Sequence, residues 1–221
     1  MSVFVTGTDT EVGKTLIAAA LLHAYAAQGL RVVGMKPVAA GCDAEGRNED
    51  VMALRAASSV AVSREAMCPY LFEAAIAPHI AAAEIGVSID LGVIEAHYEA
   101  LKMQADVVVV EGAGGFIIPL DGGQTSADLA QRLGLPVVLV VGMRLGCLNH
   151  ALLTQEAIRA RGLRLAGWVA NRIDPAMSRA DENVQTLRER LHAPLLADIP
   201  YEPAQSPASV AARLDLRALS D

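Results

Sequence analysis

Short apolar runs alternate with longer, helix-length segments along the whole chain. The run at residues 107–110 is four valines, the continuous pattern of a strand that is buried on both faces. The predicted strands are residues 3–6, 31–36, 107–110, 136–141, 165–170 and 195–199. The predicted helices between them are residues 14–28, 90–104, 126–133, 149–161 and 179–191. This alternation predicts an α/β fold with a doubly wound, mostly parallel sheet and helices on both faces.

The chain between the second and third predicted strands departs from this alternation. Residues 37–89 contain a polar stretch at 43–50, a predicted short helix near 50–57, and Pro69 and Pro78 as breakers. We expect this insertion to form a lid or a wall of a substrate site. After Pro200 the sequence predicts a loop and a short amphipathic turn. Because no Ser/Pro/Gly-rich linker divides residues 1–221, we expect one domain.

Composition narrows the possible classes of protein. Of the 221 residues, 53% are hydrophobic and only 4% aromatic, so the core is aliphatic; this excludes disorder and weakens an all-β interpretation. A net charge of −7 disfavours nucleic acid and anionic membranes as partners. Neither an export signal nor an apolar run of about 20 residues is visible, and three cysteines show no metal-type spacing. We therefore expect a cytoplasmic location.

The strongest local signal is the sequence of residues 6–15, Thr-Gly-Thr-Asp-Thr-Glu-Val-Gly-Lys-Thr. It follows a predicted strand and opens an Ala/Leu-rich helix, as a phosphate-binding P-loop does. Backbone N–H groups would hold the phosphates, Lys14 would reach the β and γ oxygens, and the Thr15 hydroxyl would bind Mg²⁺. Five residues rather than the usual four separate Gly7 from Gly13. A glycine-rich turn without function is the alternative, but strand, Gly-Lys-Thr and helix all agree on the P-loop.

Charged residues follow the neighbouring predicted strands. Glu111 ends the valine run, where P-loop enzymes place a carboxylate that helps to hold Mg²⁺; a capping or salt-bridging role is the alternative. Lys36 suits a transferred phosphoryl group, but an ordinary surface lysine fits its spacing equally well. Asp50 is a possible Mg²⁺ ligand, although a helix N-cap is favoured by its chemistry alone. Gly112 and Gly114 would let the backbone approach a ligand, or would form a plain turn.

Two further segments follow the later strands. The helix start near residues 146–149 offers free N–H groups to a carboxylate. There, an inert packed thiol is favoured for Cys147 over a reactive one, and a structural role is favoured for His150 over a general base. Asn171 could pair with an adenine edge, although a turn asparagine fits nearly as well.

Five stretches together resemble the dethiobiotin synthetase family: residues 5–15, 36–39, 111–115, 146–150 and 166–171. The offset P-loop spacing is itself a mark of that family. The resemblance implies a P-loop NTPase-like fold and an ATP- and Mg²⁺-dependent ligase of biotin biosynthesis. Its substrates would be CO₂ and 7,8-diaminononanoate (diaminopelargonate). One amine would take up CO₂ as a carbamate, ATP would phosphorylate it to a carbamic-phosphoric anhydride, and the second amine would close the ring of dethiobiotin, releasing ADP and phosphate.

The resemblance also assigns roles to residues of this chain. Lys14, Lys36 and Thr10 would be catalytic, and Thr15, Asp50 and Glu111 would surround Mg²⁺. The nucleotide would contact Glu11, Val12, Gly13, Lys14, Thr15, Leu16, Asp50, Glu111, Gly112, Ala113, Gly114, Asn171, Pro200, Tyr201 and Glu202. The substrate would contact Thr10, Lys36, Ala40 and Gly114, together with Gly146, Cys147, Leu148 and Asn149 of the other subunit of a homodimer. Ala40 stands where some members carry a substrate-contacting serine, and Arg172 stands where an acidic residue can occur.

Two other classes of function compete with this interpretation. A nucleotide-switch ATPase of the partitioning or cell-division type usually has an additional lysine early in the P-loop, where this chain has Thr8. A regulatory domain with the synthetase fold would lack catalysis. The presence of Lys14, Thr15, Lys36 and Glu111 argues against the regulatory domain.

Overall fold

A six-stranded parallel sheet forms the centre of the computed structural model, which describes residues 2–219. Its strand order is β10-β9-β8-β1-β5-β2, and two short two-stranded ribbons, β3-β4 and β6-β7, lie outside it. The strands are β1 (Ser2–Gly7), β2 (Val32–Met35), β3 (Val38–Ala40), β4 (Tyr70–Phe72), β5 (Val107–Glu111), β6 (Pro119–Asp121), β7 (Gln124–Thr125), β8 (Val137–Met143), β9 (Leu165–Arg172) and β10 (Leu195–Ile199).

Helices cover both faces of this sheet. They are α1 (Lys14–Ala26), α2 (Glu49–Ala57), α3 (Arg64–Met67), α4 (Pro78–Glu84), α5 (Leu91–Lys102), α6 (Ser126–Leu133), α7 (Cys147–Ala160), α8 (Ala180–Arg190) and α9 (Pro207–Ala211), followed by a 3-10 helix at Leu216–Leu219. One face packs on α1, α2 and α9, and the other on α5, α6, α7 and α8. The predicted fold class is therefore confirmed.

Side chains of the central strands alternate between two hydrophobic cores because a strand has a period of two residues. In β5, Val107 and Val109 belong to the core beneath α1, whereas Val108 and Val110 belong to the core beneath α5 and α6. All four valines are buried. The interpretation of this run as a strand buried on both faces is confirmed.

Every predicted helix and strand of the alternating pattern is present, with ends that differ by a few residues. The largest shift at a helix start is in α7, which begins at Cys147 instead of residue 149. Residues 37–89 contain β3, α2, α3, β4 and α4, so this insertion is more regular than its sequence suggested. None of the helices formed by residues 2–219 is both long and apolar enough to cross a membrane.

The strand order places three charged segments at one edge of the sheet. β1 lies between β5 and β8, and β5 lies between β1 and β2. The register pairs Val5 with Glu111 and Met35 with Val110. The loop after β1, Glu111 at the end of β5 and Lys36 just beyond β2 therefore meet at the carboxyl edge, where open parallel sheets bind ligands.

Candidate active site

The loop between β1 and α1 has the conformation of an anion-binding turn. Gly13 precedes α1 in the left-handed region, with φ of +90°, and no side chain caps the helix. The N–H groups of the first turn are consequently available to a phosphate, which the helix dipole also attracts. Glu11, at the exposed crown of the loop, has φ of +59°, a backbone conformation that costs a side-chain-bearing residue energy and that clusters at ligand sites.

Lys14 is buried along this loop. Its ammonium group donates to the carbonyl oxygen of Asp9 at 2.9 Å, so the side chain arches back over the turn. Burial lowers the pKa of Lys14, and the positive charge of Lys36 lowers it further. The two ammonium groups are therefore close enough to repel each other, as expected for a site that is built to bind several negative charges.

Lys36, Asp50, Glu111 and Thr15 form one cluster at the start of α1. The Lys36 Nζ donates to Glu111 Oε1 at 2.6 Å, to Asp50 Oδ2 at 2.8 Å and to the Gly112 carbonyl oxygen at 3.3 Å. The Thr15 Oγ1 lies 2.6 Å from Asp50 Oδ1 and 2.8 Å from Glu111 Oε1. A hydroxyl group has one proton, so it can donate to only one carboxylate at a time.

This geometry decides between the alternatives for Lys36 and Asp50, whereas Glu111 meets the description of both of its alternatives. Lys36 is only 4% exposed, so the surface-lysine interpretation is wrong. The N-cap interpretation of Asp50 is also wrong, because Asn48 caps α2 by accepting from the Val51 N–H. Glu111 is fully buried and forms an ion pair, while it also stands beside Thr15 as expected for a metal-holding carboxylate.

The cluster has the donor set of a magnesium site. Its atoms are two carboxylates and one hydroxyl, the oxygen ligands that Mg²⁺ prefers. The second oxygen of Glu111, Oε2, is buried without a hydrogen-bond partner, and burial raises the pKa of that carboxyl, with the charge of Asp50 adding to the effect. Across residues 2–219 no group of three or more His, Cys, Asp or Glu side chains could hold a metal alone. Phosphate or water oxygens would have to complete the coordination here.

A cavity of about 830 Å³ opens in front of the cluster. Thr10, Lys14 and Lys36 line one side of it. Residues of the 37–89 insertion also line it, so this segment forms a wall of the cavity, while the binding of substrate there stays a prediction. The insertion contributes Val38, Ala39, Ala40, Ala75, Ile76, Ala77 and Pro78. Asp50 of the same insertion lines the cavity as well. A cavity of this size, with apolar and charged lining residues, suits a small amphiphilic molecule.

The two glycines after β5, Gly112 and Gly114, are needed for different structural reasons. A Cβ on Gly112 would lie 3.2 Å from the Phe4 ring, so this glycine is required by packing beneath the sheet edge. Gly114 has φ of +58° and lines the cavity with Ala113, so the chain turns there close to Thr10. Gly114 thus lies where a ligand would approach, while contact between Gly112 and the nucleotide stays a prediction.

Asn171 lies at the end of β9 and contacts the P-loop directly. Its amide nitrogen donates to the Val12 carbonyl oxygen at 2.9 Å. A Cβ on Gly13 would lie 2.2 Å from the same nitrogen. Asn171 is buried within the strand, so the turn-asparagine interpretation is wrong.

The adjacent Arg172 points elsewhere. Its guanidinium binds both oxygens of Asp198 in β10, at 2.8 and 2.7 Å, and also Asp181 in α8 at 2.5 Å. These hydrogen bonds raise the pKa of Arg172 above its usual range. Arg172 thus ties β9 to its neighbours. Because Asn171 pairs with Ile199, the segment of Pro200, Tyr201 and Glu202 begins beside it.

The residues at the start of α7 do not line the cavity in the described part of this chain. They are Gly146, Cys147, Leu148 and Asn149. Cys147 is buried and burial raises its pKa, which agrees with the inert packed thiol. His150 is exposed. Arg144 joins this segment to the P-loop through an ion pair with Asp9 at 2.5 Å, a link that no sequence signal indicated.

Comparison with known proteins adds a family to this geometry. The AAA domain family matches residues 1–209. The ATP-dependent dethiobiotin synthetase BioD of Aromatoleum aromaticum (strain DSM 19018 / LMG 30748 / EbN1) is 59% identical over 216 residues, which cover 96% of each chain. The chain belongs to the dethiobiotin synthetase family. The expected resemblance is confirmed, and with it an ATP-dependent ligase of biotin biosynthesis.

Solved structures of more distant proteins share the fold. The septum site-determining protein MinD of Pyrococcus horikoshii OT3, complexed with Mg-ADP, is 18% identical with a TM-score of 0.58, and the match covers 92% of this chain and 83% of that one. MinD of Aquifex aeolicus is 19% identical with a TM-score of 0.56, over 91% and 82% of the two chains. At such identity the likeness to MinD extends to the fold alone, whereas the dethiobiotin synthetase family is shown by sequence.

Proposed function

We propose that this chain carboxylates 7,8-diaminononanoate with CO₂ and closes the ring to dethiobiotin, using ATP and Mg²⁺. The observation that carries the proposal is the meeting of Lys14, Lys36 and the Glu111 cluster at the mouth of one cavity. The family supports ATP-dependent dethiobiotin synthesis. The cavity adds room for a nine-carbon chain that carries two amines near one end and a carboxylate at the other.

The proposed carboxylation and ring closure take place in three steps. An amine nitrogen of the diamine bonds to the carbon of CO₂ and loses a proton, which gives a carbamate. A carbamate oxygen attacks the γ-phosphorus of ATP, and the bond to the ADP oxygen breaks. The second amine attacks the carbamate carbon, the bond to the phosphate-bearing oxygen breaks, and that amine also loses a proton. Dethiobiotin, ADP and phosphate are the products.

The two lysines supply positive charge where negative charge develops. Lys14 runs along the P-loop and would contact the β and γ phosphates. Lys36 lies beside the Mg²⁺ ligands and lines the cavity, so it would stabilise the carbamate and the phosphoryl group during its transfer. Thr10, exposed at the crown of the loop and lining the same cavity, would contact both reactants.

Thr15, Asp50 and Glu111 would hold Mg²⁺, which when bound neutralises charge on the β and γ phosphates. The adenine would lie between Asn171 and the segment of Pro200, Tyr201 and Glu202. The amide nitrogen of Asn171 is used by Val12, so its carbonyl oxygen is the group that would accept from the adenine amino group. Ala40 presents a methyl group to the cavity, so substrate is held there by apolar contact.

We propose a homodimer with the site at its interface. Leu145 is 94% exposed and Leu153 is 62% exposed, and both lie on the surface around the start of α7. A partner subunit that covers these leucines would present Gly146, Cys147, Leu148 and Asn149 to this chain's cavity, where their N–H groups would receive the substrate carboxylate. A cytoplasmic location, without nucleic acid or membrane as partner, stays a prediction.

One assay tests the reaction and separates it from a nucleotide switch. With diaminononanoate, bicarbonate, Mg²⁺ and ATP, the purified protein should release phosphate and form dethiobiotin in equal amounts. A nonanoate with only one of the two amines should give no ring product. Phosphate release that is indifferent to the diamine would favour a switch ATPase and would contradict the proposal.

A further inference from the structure

All three protons of the Lys36 ammonium are used inside the cluster. They point to Glu111, Asp50 and the Gly112 carbonyl oxygen. The two carboxylates are the same groups that would hold a divalent cation beside Thr15. Lys36 therefore balances the negative charge of these carboxylates, which the cation would otherwise balance.

We propose that the Lys36 ammonium occupies the position of the divalent cation on the carboxylates of Asp50 and Glu111. When the cation binds with its nucleotide, it displaces Lys36, and the ammonium moves into the cavity. Lys36 thereby becomes available to the substrate only after the metal-nucleotide has bound. The delivery to a carbamate rests on the function proposed above. The exchange with the cation rests only on the Mg²⁺ site of that proposal and not on the carboxylation reaction.

Repulsion between the two cations favours the exchange. Two carboxylates and one ammonium leave a net charge of −1 within the cluster, of which Glu111 is fully buried. A divalent cation that bound without nucleotide while Lys36 stayed would place three positive charges against the two negative charges of these carboxylates. Like charges repel, most strongly beside the fully buried Glu111, so the two cations would compete for the carboxylates at their present distances.

The fold allows the side chain to move while the backbone stays. The Lys36 N–H donates to the Met67 carbonyl oxygen at 2.9 Å, and Pro37 follows. The ammonium needs only to rotate from the carboxylates into the cavity, which Lys36 already lines. The Oε2 of Glu111, which is buried without a hydrogen-bond partner, would be available to the cation.

Binding of Mn²⁺ without nucleotide, followed by electron paramagnetic resonance, tests the exchange. Lys36→Met should bind Mn²⁺ at least about tenfold more tightly than the unmodified chain, a coupling of ordinary size between two competing ligands. Lys36→Arg keeps the charge and should show no tightening. Lys14→Met removes a neighbouring charge that bonds to Asp9 instead of the carboxylates, and its effect should be clearly smaller. Equal affinity of Lys36→Met and the unmodified chain would overturn the proposal.

A second measurement uses the unmodified protein and does not depend on the fold of a variant. In ¹⁵N-lysine-labelled protein, the buried Lys36 ammonium should give a slowly exchanging Nζ signal, assigned by its loss in Lys36→Arg. Mg²⁺ with ADP should shift or broaden that signal, and ADP alone should leave it in place. A signal that is identical with and without Mg²⁺-ADP would mean that Lys36 stays on the carboxylates. Since no diamine is present, failure here is distinct from failure of the proposed reaction.

Discussion

The amide nitrogen of Asn171 donates to the carbonyl oxygen of Val12 at 2.9 Å and so joins β9 to the P-loop across 159 positions of sequence. The bond is buried, where a lost partner costs about 1–3 kcal/mol. It also faces Gly13, whose missing Cβ makes room for the Asn171 side chain. The conformation of the phosphate-binding loop thus depends on a residue from a strand two positions away in the sheet.

Asn171→Ala should weaken ADP binding by about tenfold or more, because the Val12 carbonyl would lose its donor and the loop its fixed shape. Isothermal titration calorimetry measures this. Asn183→Ala is the matched control, since the Asn183 amide also donates to a backbone carbonyl, that of Arg179, but on α8. Equal ADP affinities of the two variants would contradict the role of Asn171.

Gly13→Ala should abolish nucleotide binding. Its Cβ would lie 2.2 Å from the Asn171 amide nitrogen, and φ of +90° is unfavourable for alanine. Gly29→Ala separates the two causes, because Gly29 has φ of +82° with nothing within 4 Å of a Cβ. We expect Gly29→Ala to lower stability by about 1 kcal/mol and to leave ADP binding intact. Thermal melts and ADP titrations of both variants check this, and intact binding by Gly13→Ala would refute the steric argument.

The contact between Asn171 and Val12 also marks the limit of prediction from sequence. The alternation of apolar runs and helical segments predicts every strand of the sheet. Lys36 and Glu111 both follow predicted strands, and the carboxyl ends of parallel strands meet at one edge, so they are expected to lie near each other. The local pattern at Asn171 fits a turn asparagine nearly as well as an adenine contact. Only the pairing of β8 with β9, and of β1 with β8, brings Asn171 to the P-loop.

Two other features, the N-cap of α2 and the residues of the cavity wall, also could not be predicted from local sequence. Asn48 and Asp50 are both capable helix caps, and the choice depends on whether α2 begins at Glu49 or two residues later. Asp50 is free for the cluster because Asn48 takes the cap. The wall residues Ala75 and Ala77 are small and apolar, so they carry no chemical signal, and their place at the cavity follows from the packing of the insertion.

The cysteines should differ in their reaction with a disulfide reagent at pH 8. The thiolate is the reactive form, so a raised pKa and burial both slow the reaction. Burial raises the pKa of Cys68 to about 12, and that of Cys147 is raised as well. Cys42 is partly exposed, although burial and nearby carboxylates raise its pKa too. We expect one slow thiol in the native protein, increasing in rate above pH 8, and three thiols in denaturant; rapid labelling of Cys147 would contradict its packing.

Lys36→Ala should lower kcat by a factor on the order of 10² or more, because a fixed positive charge would be lost where charge develops on the carbamate and phosphoryl groups. Lys102→Ala is the matched control, since Lys102 is an exposed lysine that pairs with Glu99 on α5. Its kcat should equal that of the unmodified chain. The assay is the formation of dethiobiotin under saturating ATP. A Lys36→Ala enzyme with normal kcat would remove Lys36 from the mechanism.

Leu145→Asp should convert the proposed homodimer to a monomer, because a carboxylate would then have to be buried in an apolar interface without a partner. Leu145 is 94% exposed in the single chain. Met103→Asp is the matched control, since Met103 is 83% exposed just after α5 and lies outside the proposed interface. Sedimentation velocity should show Leu145→Asp as a monomer and Met103→Asp as a dimer. Since the partner would supply residues 146–149 to the substrate, Leu145→Asp should also raise the KM for the diamine more than the KM for ATP. A Leu145→Asp dimer with an unchanged KM for the diamine would place the interface elsewhere.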